Sequence, residues 1–171
     1  MSEKGRRILR FAVQLAVIAA LVLIDRAIKN LVYEKLAGAG TLTIVEGFLG
    51  LSYAENTGAA FSLFSSSTTA LTVFTGVLIL AGLIGLIAVK NKPLVYDICI
   101  PLIIAGGAGN QLDRLTRGCV IDYIKTLFID FPIFNFADCL ITCSCFAIII
   151  YLIIDIVRDA KKKPENGGTD D

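Results

Sequence analysis

Two aspartates stand out by their surroundings. Asp122 is the single acid in Gly118-Cys119-Val120-Ile121-Asp122-Tyr123, and Asp138 closes Asn135-Phe136-Ala137-Asp138 at the head of a long apolar run. The chain has no histidine. That excludes a Ser-His-Asp triad and a His-ligated metal, and it leaves acid–base work to carboxylates, Lys, Tyr or Cys. Two carboxylates held face to face cannot both ionise easily, so one pKa rises and the pair keeps one proton near neutrality. Such a pair titrates as a unit. It activates water with one member and protonates a carbonyl or a leaving amine with the other. No metal and no cofactor are expected. Plainer readings stand beside this one. Asn135 is a preferred N-cap and an acid three residues on suits the first turn of a helix, while Asp122 can be an interfacial acid facing water.

The elements that must position these residues are membrane spans. Of the 171 residues 56% are hydrophobic and 18% charged, and the mean hydropathy is +0.75. A soluble domain carries about 25% charged residues, so the apolar excess here must face lipid. The net charge of +1 implies no nucleic-acid partner. One domain, residues 1–171, is expected. It contains four spans at about 9–33, 67–89, 94–114 and 137–157, an outer loop at 37–64 and a disordered, solvated tail at 161–171. The first span follows a basic leader, but no A-x-A-like cleavage site follows it and three more apolar segments do, so it is not read as a cleaved signal peptide. The cysteines at 99, 119, 139, 143 and 145 form no C-x-x-C pair, and the last three read as small hydrophobes.

Lys and Arg set the orientation. With the N-terminus inside, the inner segments hold Lys4, Arg6, Arg7, Arg10, Lys90, Lys92, Arg158, Lys161, Lys162 and Lys163. The outer segments hold only Arg26, Lys29, Lys35, Arg114, Arg117 and Lys125. Both termini are therefore expected in the cytoplasm. On this arrangement Asp25, Asn56, Asn110, Asp113, Arg114, Asp122, Asn135 and Asp138 all fall at outer span ends or in outer loops. An ionisable residue at membrane depth is costly and is a functional candidate by default. In the first outer loop, Thr41 to Val45 is β-prone and Leu51 to Ala54 is a possible partner strand, with Gly47 and Gly50 as turn residues. The run Ala105-Gly106-Gly107-Ala108-Gly109-Asn110 suits close helix packing and lacks the Gly-Lys-Ser/Thr of a phosphate loop. Asp25 and Lys29, four apart, suit an ion pair on one helix face.

Together these segments resemble the lipoprotein signal peptidase family (signal peptidase II). The resemblance is carried by five elements in order: Asp25 with Lys29; Asn56-Thr57-Gly58-Ala59-Ala60-Phe61; Gly109-Asn110-Gln111-Leu112-Asp113-Arg114; Gly118 to Tyr123; and Phe134 to Asp138. Ala105 stands where that family usually has Gly, and Gln111 where Leu is common. The resemblance implies an all-α membrane protein of four transmembrane helices with a small extracytoplasmic β-cradle, and Asp122 and Asp138 as the catalytic pair. It implies that Asn56, Asn110, Asp113, Arg114 and Asn135 line the site, binding substrate backbone or holding the pair, with Asp25, Lys29, Gly58 and Ala137 in support. The implied partners are membrane lipid and diacylglyceryl-modified prolipoproteins, cleaved on the N-terminal side of the lipidated Cys at the outer face of a bacterial cytoplasmic membrane. Sequence leaves the oligomeric state open, with a monomer favoured.

Three other functions fit parts of the pattern. A proton or cation relay would spread carboxylates through the membrane depth, whereas here none sits at a span centre. A Ser–Lys protease would use a serine such as Ser62 with Lys29. An assembly subunit would need neither acid. Arg114 has two open roles, electrostatic stabilisation of the site or simple pairing with Asp113.

Overall fold

Each of the four apolar segments forms a helix in the computed structural model, which describes residues 1–58, 68–90 and 92–162. The helices are α1 (Glu3–Leu36), α2 (Thr68–Ala88), α3 (Leu94–Arg117) and α4 (Phe136–Lys162). Between them lie three strands, β1 (Thr41–Val45), β2 (Leu49–Asn56) and β3 (Val120–Thr126), forming an antiparallel sheet in the order β1-β2-β3. α1, α2 over Thr69–Ala88 and α4 over Phe136–Lys161 are each long and apolar enough to cross a membrane. α3, with 24 residues, has the length but not the apolarity. The reason is its place: α3 packs against α1, α2 and α4, so its polar residues meet protein rather than lipid. A polar residue in a bundle interior escapes the cost it would meet in hydrocarbon.

Close approach to α3 depends on its small residues. A Cβ on Gly106 would run into the Ala137 carbonyl oxygen of α4, and one on Gly109 would stand 2.5 Å from Asp25 Oδ2 of α1. The packing reading of the Gly-rich run therefore holds at two of its glycines. Pro101 sits inside α3 and has no N–H to offer the carbonyl of Asp97 four residues back. Gln14 of α1 takes up that freed carbonyl, donating from Nε2 at 3.0 Å.

The helices run past several expected ends. α1 begins at Glu3, with Ser2 capping it through a 3.1 Å bond from Gly5 N. α3 extends to Arg117 and closes at Gly118 in the left-handed conformation. α4 reaches Lys162, so the expected tail is helical at residues 161 and 162; its remainder lies outside the described residues. β1 matches the expected strand. β2 is longer than expected, and Gly50 lies within it, paired with Thr43, while the turn is at Gly47. β3 was not expected, although Val120, Ile121, Tyr123 and Ile124 supply the β-branched and aromatic residues that strands favour. Val32 of α1 packs with Ile121 and Tyr123 of β3, backed by Leu51, Tyr53 and Phe136. This small core seats the sheet on the C-terminal end of α1. Burial of each such side chain contributes on the order of 1.5–3 kcal/mol.

Candidate active site

Asp138 sits in the first turn of α4 because Asn135 caps that helix. Asp138 N donates to Asn135 Oδ1 and Asn135 N donates to Asp138 Oδ2, each at 3.0 Å. This reciprocal pair satisfies two N–H groups that a helix start leaves open. The capping role and the site role thus belong to the same residues. The other oxygen of Asp138, Oδ1, accepts from Asn110 Nδ2 of α3 at 2.7 Å.

Asp122 is set by strand register. It pairs with Ala54 of β2, and Val120 pairs with Asn56, which makes Asn56 its diagonal neighbour on one face of the sheet. Asn56 Nδ2 donates to Asp122 Oδ2 at 2.9 Å, and Asn135 Nδ2 donates to Oδ1 at 2.6 Å. Gly58 N donates to Asn56 Oδ1 at 3.0 Å, which fixes the orientation of that amide. All four carboxylate oxygens of Asp122 and Asp138 therefore accept a bond from an N–H. An amide nitrogen cannot give up its hydrogen, so these bonds orient both groups and leave each oxygen a second lone pair for water or a proton.

Asp122 is only 3% exposed. Burial pushes its carboxyl up to about 6, and repulsion from Asp138 adds to the rise, against the bonds from Asn56 and Asn135. The two carboxylates thus interact electrostatically, as a proton-sharing pair requires.

Behind the pair lies a buried ion cluster. Lys29 is fully buried, with Asp25 Oδ2 at 2.8 Å, Asp113 Oδ2 at 3.1 Å and Asn110 Oδ1 at 2.8 Å. Its contact with Asn110 is a hydrogen bond, and those with Asp25 and Asp113 are ion pairs. Asp113 also meets Arg26 at 2.8 Å and Arg117 at 3.4 Å, and it accepts from Ile121 N at 3.3 Å. Lys29 is occupied as a charge partner, which removes the base that a Ser–Lys protease needs; Ser62 lies outside the described residues.

Asp122 and Asp138 line one cavity of about 820 Å³. Asn56, Gly58, Asn110 and Arg114 line it with them, while Asp113, Asn135 and Ala137 do not. Asn135 and Asp113 hold the site from behind. The suggested pairing of Arg114 with Asp113 does not form: Arg114 makes no ion pair among the described residues, Asp113 being taken by Arg26, Lys29 and Arg117. Among the described residues, the buried Nε of Arg114 has no hydrogen-bond partner. Sequence reasoning missed two contributions. Arg26 and Arg117 neutralise Asp113; the i, i+4 spacing of Asp113 and Arg117 was a usable signal, as it was for Asp25 and Lys29, whereas nothing in its spacing marks Arg26. Phe131, Pro132, Ile133 and Phe134 form an apolar wall of the cavity, and their unbroken apolar run between Asp130 and Asn135 was a usable signal.

The arrangement is a water-accessible carboxylate pair beside an apolar wall, suited to hydrolysis of a hydrophobic substrate. Comparison with known proteins agrees. The family model for signal peptidase (SPase) II matches residues 17–154. Lipoprotein signal peptidases of Enterococcus faecalis and Lactiplantibacillus plantarum are similar: 35% identical over 87% of this chain and 91% of the relative, and 36% identical over 86% and 95%. Two bacterial membrane enzymes solved by the in meso method are similar in structure. One superposes with a TM-score of 0.78 at 28% identity, covering 92% of this chain and 95% of its own. The other does so at 0.74 and 29%, covering 82% and 92%. The chain belongs to the signal peptidase II family, membrane-embedded aspartic-type endopeptidases that remove the signal peptides of lipoproteins.

Proposed function

We propose that Asp122 and Asp138 are the catalytic residues, cleaving diacylglyceryl-modified prolipoproteins on the N-terminal side of the lipidated Cys. The observation that carries this reading is that both carboxylates face one cavity with every oxygen oriented by an N–H donor. A water lies between them. Asp138 takes a proton from it as its oxygen attacks the scissile carbonyl carbon, and Asp122 gives its proton to the carbonyl oxygen. The diol so formed collapses. Asp138 passes its proton to the leaving amine as the C–N bond breaks, and the diol returns a proton to Asp122. The high-lying Asp122 carboxyl supports its role as the initial acid.

Asn56 and Arg114 bind the substrate backbone, and the Arg114 guanidinium stabilises negative charge developing on the carbonyl oxygen. The Phe131–Phe134 wall takes the apolar part of the substrate. Asp25, Lys29, Asn110, Asp113 and Asn135 hold the pair in place, with Gly58 and Ala137 in support. Residues 1–171 act as one domain, as a monomer, in the bacterial cytoplasmic membrane. The Lys/Arg distribution supports both termini in the cytoplasm and the site at the outer face.

The test is incubation of the purified protein with a lipidated and a non-lipidated prolipoprotein, followed by mass analysis. Only the lipidated substrate should lose its signal peptide. Asp122→Asn and Asp138→Asn should each abolish cleavage while remaining folded in the membrane. Cleavage by either variant would overturn the assignment.

A further inference from the structure

A second cavity, of about 280 Å³, lies between the start of α1, the end of α2 and the chain leading into α3. It is remote from the carboxylate pair: the α1 rise from Arg7 to Lys29 is about 33 Å, close to the roughly 30 Å of a bilayer core. The cavity therefore lies at the opposite membrane boundary. Five cations line it, Arg6, Arg7, Arg10, Lys90 and Lys92, against one acid, Glu3.

Part of this charge is used by the fold. Asp97 holds Arg10 at 3.0 Å and Lys92 at 3.5 Å. Arg7 donates to Ile87 O and Lys92 to Leu86 O, both at 3.2 Å, closing the carbonyl end of α2. Arg6 and Lys90 make no ion pair among the described residues. With Glu3 and Asp97 counted against the five, cationic charge remains in excess. Phe11 and Val89 give the same cavity an apolar side.

We propose that this cavity binds the phosphodiester headgroup of an anionic membrane phospholipid, with Arg6, Arg7 and Lys90 around the phosphate and Phe11 and Val89 against the glycerol and first acyl carbons. Basic pockets between helices at a membrane face favour such headgroups. A free phosphate ion is also an oxyanion, but it lacks the chains that place the lipid at this boundary and that use the apolar side. The site stands apart from the catalytic assignment, so either can fail alone.

The test uses the full-length protein in non-ionic detergent, with lipid binding followed by native mass spectrometry and by thermal unfolding. Phosphatidylglycerol should form one saturable adduct and raise the unfolding temperature, whereas phosphatidylcholine and inorganic phosphate should do neither. The double variant Arg6→Gln, Lys90→Gln removes two charges that make no ion pair, so it should fold and cleave substrate as before. Its affinity for phosphatidylglycerol should fall about thirtyfold, each cation near an anionic surface contributing about fivefold. The control Arg158→Gln, Lys161→Gln removes as much charge from the exposed end of α4 and should bind normally. Equal loss in the control would reveal diffuse surface charge and overturn the proposal. So would undiminished binding by the cavity variant, equal binding of phosphatidylcholine, or an equal effect of inorganic phosphate, which would assign the cavity to a soluble anion.

Discussion

Lys29 donates to Asn110 Oδ1 at 2.8 Å, and that bond decides which way the Asn110 amide faces. Asn135 Nδ2 donates to the same oxygen at 3.1 Å, so Nδ2 of Asn110 is left to point at Asp138. Asn135 Nδ2 in turn reaches Asp122. A charge pair on α1 is thereby linked to both carboxylates through two amides. Removing the ammonium exposes the weakness of the design. Lys29→Met leaves Asp25 and Asp113 buried without it, and stripping one partner from a buried pair costs about 3–5 kcal/mol. Thermal unfolding in detergent should show that loss, and the double variant Asp25→Asn, Lys29→Met should recover part of it. Cleavage should remain impaired in both, because Asn110 can flip.

Asn135 has two separable tasks. Asn135→Ser keeps a good N-cap but shortens the side chain and removes the N–H that reaches Asp122. The unfolding temperature should stay close to that of the unaltered protein while kcat falls by about 100-fold, the scale of a misplacement of about 1 Å at a reacting group. Asn135→Ala should lose activity and, in addition, about 1 kcal/mol of stability from the missing cap.

Helix contact at Gly109 should be intolerant of a single methyl. Gly109→Ala places its Cβ against Asp25, and overpacking of this kind costs about 1–3 kcal/mol. Gly85 has open space around its Cβ position, so Gly85→Ala should be neutral or slightly stabilising. Comparing the two unfolding temperatures checks that packing, rather than loss of glycine as such, is responsible.

The pH profile should carry an alkaline limb. Because the Asp122 carboxyl is raised to about 6, its proton is present below that value and lost above it. If Asp122 is the acid, kcat/KM should fall by about tenfold per pH unit on the alkaline side. Repulsion from Asp138 contributes to the rise, so Asp138→Asn should move the Asp122 titration to lower pH. Infrared titration of the carboxyl band reads this in the inactive variant, and an unmoved band would show that the two groups do not interact.

Much of the fold was legible because helix formation in a membrane is a local matter. Four apolar stretches, a basic leader and a Lys/Arg imbalance are visible along the chain, as are the Asn135 cap and the small residues of α3. The third helix was harder to read, since its polarity makes sense only once α1, α2 and α4 surround it. β3 escaped notice because a strand is defined by its partner: Asp122 faces Ala54, 68 positions earlier in the chain, and no local pattern records that pairing.

By itself the sequence determined the chemical vocabulary: no histidine, two acids among apolar neighbours, an asparagine three residues before Asp138, and spans that carry the acids to one face. Tertiary structure alone decided the grammar. It put Asp113 under three cations instead of in the cavity, left Arg114 free to line it, and turned two asparagine amides into a bridge between Asp122 and Asp138. Residue type and helical period are properties of short segments. Which oxygen a given amide meets depends on strand register and on how closely α3 approaches its neighbours, and both are set by packing between segments far apart in the chain.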